Sequence, residues 1–163
     1  MSEDWTLDRL RETARGYRLP LVILTLVRAG VFDELARGPA TPGSLAGACG
    51  VDREALTRLL NVLVSMGLLG LDPRGYFFPE TLAGSLVPGR LGSPMDGLRH
   101  TADGLDKWFG IKEALERGYA EYPDRLDVIR DPERNERFIR AMHTHAAPVA
   151  GRFADLADAG DAR

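Results

Sequence analysis

Two closely spaced histidines, His143 and His145, carry the side chains that could most directly act as metal ligands or acid–base groups. Positions two apart on a helix point to opposite sides, whereas a tetrahedral metal site needs ligands that converge on one point. We therefore expect no metal site here. We interpret both histidines as surface residues or as residues that line a pocket.

The common sequence motifs for nucleotide binding and catalysis do not occur in the chain. Although it has 18 glycines, it contains neither G-x-G-x-x-G nor a phosphate-loop pattern, and no G-x-S-x-G or H-E-x-x-H segment. The single cysteine, Cys49, is interpreted as a small buried hydrophobic residue near a helix end, and a catalytic thiol is the unsupported alternative. We therefore predict no catalytic residue, no metal ligand and no cofactor-binding residue in this chain.

An aromatic and thioether set on two predicted helices is the other group of side chains with a possible binding role. Its members are Trp108, Phe109, Phe138 and Met142. Such residues commonly fill a hydrophobic core. The alternative is that they form one wall of an apolar small-molecule pocket, with His143 or His145 at its edge.

The composition is that of a globular protein without strong charge bias. The 163 residues are 44% hydrophobic and 28% charged, with a net charge of -3, which gives no general attraction to nucleic acids or anionic membranes. A single cysteine excludes an internal disulfide, and the polar N-terminus lacks a signal peptide, so we expect a cytoplasmic protein. The most apolar run, Leu19 to Val27, is about half of the roughly 20 residues that a membrane span needs.

The stretch from Thr41 to Pro79 has the pattern of a winged helix. A short helix capped by Thr41 and a longer helix capped by Asp52 are predicted from their N-cap residues and from the spacing of their apolar residues. Two apolar runs, Leu68–Leu71 and Tyr76–Phe78, flank a turn and predict a small β-ribbon.

Further helices are predicted on both sides of the winged helix. Asp4 to Arg15 is predicted to be amphipathic, with four buried positions: Trp5, Leu7, Leu10 and Ala14. The helix that contains Leu19 to Val27 is apolar on nearly every side, so we expect a second copy of the chain to cover part of it. Met95 to about Arg117 is predicted as helical, and a helix from Pro132 is predicted to be interrupted at Pro148. The fold class is therefore mainly α, a winged helix with additional N- and C-terminal helices.

Winged helices either read DNA or hold proteins together, and their charge separates the two uses. Between Thr41 and Pro79, three arginines are balanced by three acids: Arg53, Arg58 and Arg74 against Asp52, Glu54 and Asp72. A helix that approaches phosphates usually carries a positive excess. We therefore expect no nucleic-acid partner, and a DNA-binding transcriptional regulator is the alternative function.

Several stretches, in this order, match the pattern of one family. The first are Gly16-Tyr17-Arg18, Arg28-Ala29-Gly30-Val31-Phe32-Asp33-Glu34-Leu35, Gly38-Pro39-Ala40-Thr41, Leu45-Ala46, Val51-Asp52, Leu56-Thr57-Arg58-Leu59-Leu60 and Met66-Gly67-Leu68-Leu69. The later ones are Tyr76 with Pro79, Leu82-Ala83, Leu86-Val87-Pro88-Gly89, Asp131-Pro132-Glu133-Arg134, Phe138 and Ala141-Met142. Together they resemble the N-terminal half of the S-adenosylmethionine-dependent O-methyltransferases of the acetylserotonin, caffeate and polyketide-tailoring type.

The resemblance implies a winged-helix dimerisation domain over residues 1–90 and a helical extension over residues 91–163 that lines the substrate pocket. It implies an intertwined homodimer with no DNA role and no membrane contact. The substrate-pocket residues that it implies are Trp108, Phe138, Met142 and His145, with Tyr17 contributed across the dimer. The implied substrate of the full-length enzyme is a small aromatic or polyketide-like molecule.

The family continues with a Rossmann-like catalytic domain that opens on a strand and a D-x-G-x-G-x-G cofactor loop. This chain ends at Arg163, about where that strand is expected. The resemblance therefore implies that S-adenosylmethionine binds in the full-length enzyme and that this chain alone is not catalytic. A truncated enzyme and a stand-alone partner of a separate catalytic chain are the two interpretations.

Overall fold

The computed structural model describes residues 4–87, 90, 93–118 and 130–156. Within these ranges the chain is mainly helical, with one two-stranded antiparallel sheet. The helices are α1 (Leu7–Arg15), α2 (Arg18–Arg28), α3 (Val31–Leu35), α4 (Pro42–Cys49), α5 (Arg53–Ser65), α6 (Glu80–Ala83), α7 (Pro94–Asp103), α8 (Leu105–Phe109), α9 (Ile111–Arg117) and α10 (Pro132–Leu156), and the strands are β1 (Gly70–Asp72) and β2 (Gly75–Phe77). The expected fold class, mainly α with a winged-helix arrangement, is confirmed.

The two central helices of the winged helix begin at the caps that the sequence predicts. The Thr41 hydroxyl accepts the backbone N–H of Ser44 at 3.2 Å, and an Asp52 carboxylate oxygen accepts that of Ala55 at 2.8 Å. Each bond satisfies one of the backbone donors that a helix start leaves unpaired. Between the helices, Gly50 adopts a left-handed conformation with φ of 65°, so the chain can turn sharply from α4 into α5.

The β-ribbon is packed tightly against the start of α4. The strands pair in the register Gly70 with Phe77 and Asp72 with Gly75, which is slightly displaced from the two predicted runs. Gly75 has a φ of 124°, and a Cβ built there would lie 2.2 Å from the carbonyl oxygen of Ala40. Only glycine fits this close approach of two backbones.

One hydrophobic core joins the winged helix to the helices that precede and follow it. Phe32 of α3 packs edge-on against Phe78 beyond β2, with ring centroids 5.1 Å apart. The buried members of the core are Leu24, Leu26, Val27, Val31, Phe32, Leu35, Leu45, Ala46, Leu56, Leu60, Leu63, Leu69, Tyr76, Phe78, Leu86, Met95 and Ala102. Because the last two belong to α7, this core also fixes α7 on the winged helix.

Helix α2 obtains part of its cover within the chain. Helix α7 packs against it and also against α10. The buried residues of α2 are Leu24, Leu26 and Val27, and its partly buried residues include Leu19, Val22 and Ile23. The chain thus covers part of α2 by itself, and the cover by a second copy stays a prediction.

Helix α1 differs most from its prediction. It begins at Leu7 rather than Asp4, and the predicted buried positions are not buried within the single chain: Trp5, Leu7 and Leu10 are 65%, 61% and 55% exposed, and Ala14 is exposed as well. The helix is amphipathic as predicted, but the described residues do not cover its apolar side. Amphipathic spacing predicts a face to be buried without saying which chain buries it.

Two C-terminal elements also differ from their predictions. The helical stretch up to Arg117 is divided into three helices at Gly104 and Gly110, where glycine lowers helix propensity. Helix α10 continues past Pro148. A proline inside a helix removes one backbone hydrogen-bond donor, but it can bend the helix without ending it. Of the helices that the structure describes, none has the length and apolarity to cross a bilayer.

Candidate functional site

The outer surface of α5 and the β-ribbon is where a winged helix would contact DNA. Arg58 pairs with Glu54 on the same helix, and an Asp72 carboxylate oxygen lies 2.7 Å from an Arg74 nitrogen in the ribbon turn. Hydrogen bonding from Arg74 lowers the pKa of Asp72, and the carboxylate in turn raises the pKa of Arg74. Both groups are therefore charged and paired at neutral pH. Two arginines that could meet phosphates are matched by local carboxylates, which weakens the DNA-binding alternative.

Phe138, one of the predicted pocket residues, lies at the junction of α10 and α7. Its ring is half-buried and meets the ring of His100 edge-on, with centroids 5.4 Å apart. Beside it, Nε of Arg137 donates to Asp103 Oδ2 at 3.1 Å, which fixes α10 on α7. The side chain of His145, also predicted to line the pocket, lies outside the described part of the chain. Phe138 is thus positioned by packing and by an ion pair.

Three other predicted pocket residues project outward. Trp108 on α8 is 69% exposed, Tyr17 before α2 is 61% exposed and Met142 on α10 is 38% exposed. The ring contacts found within the described ranges pair Phe32 with Phe78 and His100 with Phe138, and they do not include Trp108 or Tyr17. Among the described residues, these side chains are therefore not joined into one enclosed cavity.

Exposed apolar side chains outside the winged helix fall on three segments of the chain, and each set is named as a surface. The α1 surface consists of Trp5, Leu7 and Leu10. The arm surface, on α8 and α9, consists of Trp108, Phe109, Ile111 and Leu115. The α10 surface consists of Ile139, Met142 and Val149. Large exposed apolar patches commonly mark protein or ligand contacts. Phe109, Ile111 and Leu115 are therefore candidates for such a contact. Helical periodicity alone would equally well place them in a core.

A partly buried ion cluster holds α7 against α3. Arg99 of α7 pairs with Asp33 of α3 and, at 3.1 Å, with Asp96 one turn earlier in α7. Asp96 is 5% exposed, and its Oδ2 has no hydrogen-bond partner among the described residues. Because Asp96 also occupies the first turn of a capped helix, where acids are common, the sequence does not distinguish it from an ordinary helix-start residue.

Cys49 and the acidic residues provide little for covalent or metal chemistry. Burial raises the pKa of the Cys49 thiol above its ordinary value, with nearby Glu34 and Asp33 acting in the same direction. A raised pKa keeps the thiol protonated and poorly nucleophilic at neutral pH. Over the ranges that the structure describes, no cluster of three or more potential metal ligands is found.

The winged-helix region matches one known protein family. Residues 11–87 match the O-methyltransferase dimerisation domain. A comparison with curated proteins finds no match for this chain.

Three solved structures have the same fold over most of this chain. The human N-acetylserotonin methyltransferase in complex with SAM is 24% identical, covers 89% of this chain and 47% of its own, and has a TM-score of 0.67. The mitomycin 7-O-methyltransferase is 24% identical over 91% of this chain and 46% of its own, with a TM-score of 0.72. An O-methyltransferase family protein from Burkholderia thailandensis is 19% identical over 99% of this chain and 48% of its own, with a TM-score of 0.76.

The likeness to these three structures shows a shared fold, since their identities are low. This chain spans a little under half the length of each of them. Its described helices therefore correspond to only part of those proteins.

Proposed function

We propose that the chain forms the dimerisation and substrate-pocket part of a small-molecule O-methyltransferase that uses S-adenosylmethionine, because residues 11–87 match the O-methyltransferase dimerisation domain. The family match is the observation that carries the proposal. It is supported by the exposed α1 surface, which lies immediately before the matched range, residues 11–87.

Dimerisation is proposed to occur through the α1 surface. Trp5, Leu7 and Leu10 would lose solvent contact when two chains associate, and burial of apolar area contributes about 25 cal/mol per Å². A twofold contact places the same surface of each chain in the interface. Tyr17, which follows α1 directly and is exposed, would then be able to reach across to the partner chain.

The substrate pocket is proposed to use Trp108, Phe138, Met142 and His145, with Tyr17 from the partner subunit. Apolar and aromatic walls suit a small aromatic or polyketide-like substrate. Phe138 is held in place by His100 and by the neighbouring ion pair of Arg137, as a preorganised wall requires. The chain would contribute substrate positioning and exclusion of water rather than acid–base groups.

The described residues do not fit S-adenosylmethionine, although solved structures of the same fold contain SAM or SAH. A nucleotide-type ligand in an α/β domain lies at the carboxyl ends of parallel strands, beside a glycine-rich turn and a helix N-terminus. The sheet described here has two short antiparallel strands that are joined by a tight turn. We therefore assign no step of methyl transfer to this chain.

The oligomeric mass of the chain tests the proposal. Sedimentation equilibrium of the wild type is expected to give twice the mass of one chain. Leu10→Lys should reduce it to a monomer, because a charge would enter the α1 surface. Leu71→Lys is a matched control, since Leu71 is also 55% exposed but lies on β1, and it should leave the dimer intact. A monomeric wild type, or a dimer that survives Leu10→Lys, would contradict the proposed interface.

A further inference from the structure

Among the described residues, the segment formed by α8 and α9, here called the arm, is largely exposed. Within the described ranges, α8 packs on α7 and α9, and Leu105 is the arm residue that packs against the core. Glycines lie at both ends of the arm and at its middle: Gly104, Gly110 and Gly118. Further along the arm, Trp108 and Leu115 are 69% and 86% exposed.

A bidentate ion pair connects the arm to the body of the protein. The two terminal nitrogens of Arg28 donate to the two carboxylate oxygens of Asp106, at 2.9 and 2.8 Å. Arg28 is the last residue of α2 and Asp106 the second residue of α8, 78 positions later. The paired, parallel geometry is the strongest arrangement available to an arginine and a carboxylate. It holds α8 directly beside the end of α2.

This ion pair is exposed, unlike the cluster that holds α7 on α3. The side chains of Arg28 and Asp106 are 51% and 67% exposed, whereas those of Arg99 and Asp96 are 26% and 6% exposed. Breaking an exposed pair changes an equilibrium by about two- to fivefold, whereas removing one partner of a buried pair is far more disruptive. The Arg99 cluster is thus suited to holding α7 on α3 permanently. The Arg28–Asp106 pair is suited to a contact between α8 and α2 that forms and breaks.

We propose that Arg28 and Asp106 form a latch that holds the arm against the body, and that its release lets the arm turn about Gly104 and carry Trp108 away. Arg28 and Asp106 are then positioning residues for Trp108. Only the purpose of the movement, which is access to a substrate-pocket wall that includes Trp108, rests on the proposed function. The latch itself stands on the geometry of the ion pair and on the exposure of the arm.

Hydrogen exchange of the whole chain, followed by mass spectrometry, tests the latch. Asp106→Asn and Arg28→Glu should each raise the exchange rate of residues 105–117 by about two- to fivefold, with α2 to α5 unchanged. Lys112→Gln is the matched control: it removes the Lys112–Glu116 pair at 3.7 Å, which lies entirely within the arm. It should leave attachment of the arm to the body unchanged, so exchange at residues 105–109 should match the wild type.

Two further readouts separate a latch from a local helix effect. The double variant Arg28→Glu with Asp106→Arg should restore wild-type exchange, because the pair is rebuilt with reversed charges. Raising the salt concentration from about 0.05 M to about 0.5 M should accelerate exchange in the arm of the wild type, and it should not do so in Asp106→Asn. Unchanged exchange in the single variants, or no rescue by the double variant, would overturn the latch.

The oligomeric mass of each variant, measured in the same samples, keeps this test separate from the proposed function. A latch that fails while the wild type is dimeric leaves the dimerisation proposal standing. A latch that behaves as expected in a monomeric chain leaves the latch standing and removes the dimer.

Discussion

The apolar face of helix α5 is buried, whereas the apolar residues of the α1 surface and the arm surface are exposed. In the winged helix, Leu60 and Leu63 of α5 are fully buried in a core that the chain completes by itself. In α1 and the arm, Trp5 and Trp108 are well over half exposed. Both regions have helical apolar spacing, so the difference lies in what covers each face. The chain covers the apolar face of α5 by itself, whereas its described residues leave the α1 surface and the arm surface exposed.

The ion pairs of the winged helix are local, whereas one ion pair of the arm connects distant helices. On the winged helix, Arg58 and Arg74 form pairs within their own elements, which leave the surface locally neutral. On the arm, Asp106 pairs with a residue from a distant helix. Charges in the first region neutralise a surface, whereas in the second they set the position of one segment on another.

The largest expected effect is on the core of the winged helix. Leu60→Ala should lower the free energy of unfolding by about 2–5 kcal/mol, because it leaves a cavity at a fully buried position. Val62→Ala, two positions later on α5 and 42% exposed, is the matched control and should change it by no more than about 0.5 kcal/mol. Urea denaturation at one fixed chain concentration measures both, since association would add to the apparent stability. Equal effects would mean that the core does not lie where the structure places it.

The next effect concerns the close contact between the ribbon and α4. Gly75→Ala should destabilise the fold by about 1–3 kcal/mol, because a side chain would meet the Ala40 carbonyl at a strained backbone conformation. Gly47→Ala, inside α4 with open space around its Cβ position, should instead stabilise by up to about 1 kcal/mol. Thermal unfolding of the two variants should therefore shift in opposite directions. A Gly75→Ala variant as stable as the wild type would show that the ribbon is not docked on α4.

How far the sequence predicts this structure depends on whether a signal is local. The caps at Thr41 and Asp52 are set by neighbouring residues, and they are predicted correctly. The apolar face of α1 is not buried within the single chain, because periodicity identifies an apolar face without identifying what covers it. The pairing of Arg28 with Asp106 joins residues 78 positions apart, and no local sequence pattern predicts it. The predicted pocket set rests on family resemblance, and its assembly stays a prediction.

The smallest effect is the pH dependence of the latch. Hydrogen bonds from Arg28 lower the pKa of Asp106 below its ordinary value, and Asp103 adds to the negative charge that faces Arg28. The pair therefore holds the arm fully at pH values above the ordinary pKa of an aspartate. This contribution is lost as the pH falls through the lowered pKa of Asp106. In an NMR titration, Arg28→Gln should move the pKa of Asp106 upward. The pKa of Asp72, which Arg74 holds low, should stay where it is, and a matching shift there would show a general effect.

The emission of Trp5 tests most directly the central claim that the α1 surface is covered by a second chain. In a Trp108→Phe background Trp5 is the only tryptophan, since the chain has two, and it is 65% exposed in the single chain. Dilution through the dissociation of the dimer should shift its emission to longer wavelength, in step with the fall in mass. A solvent-exposed spectrum at every concentration, in a chain that still has twice the monomer mass, would show that the interface lies elsewhere.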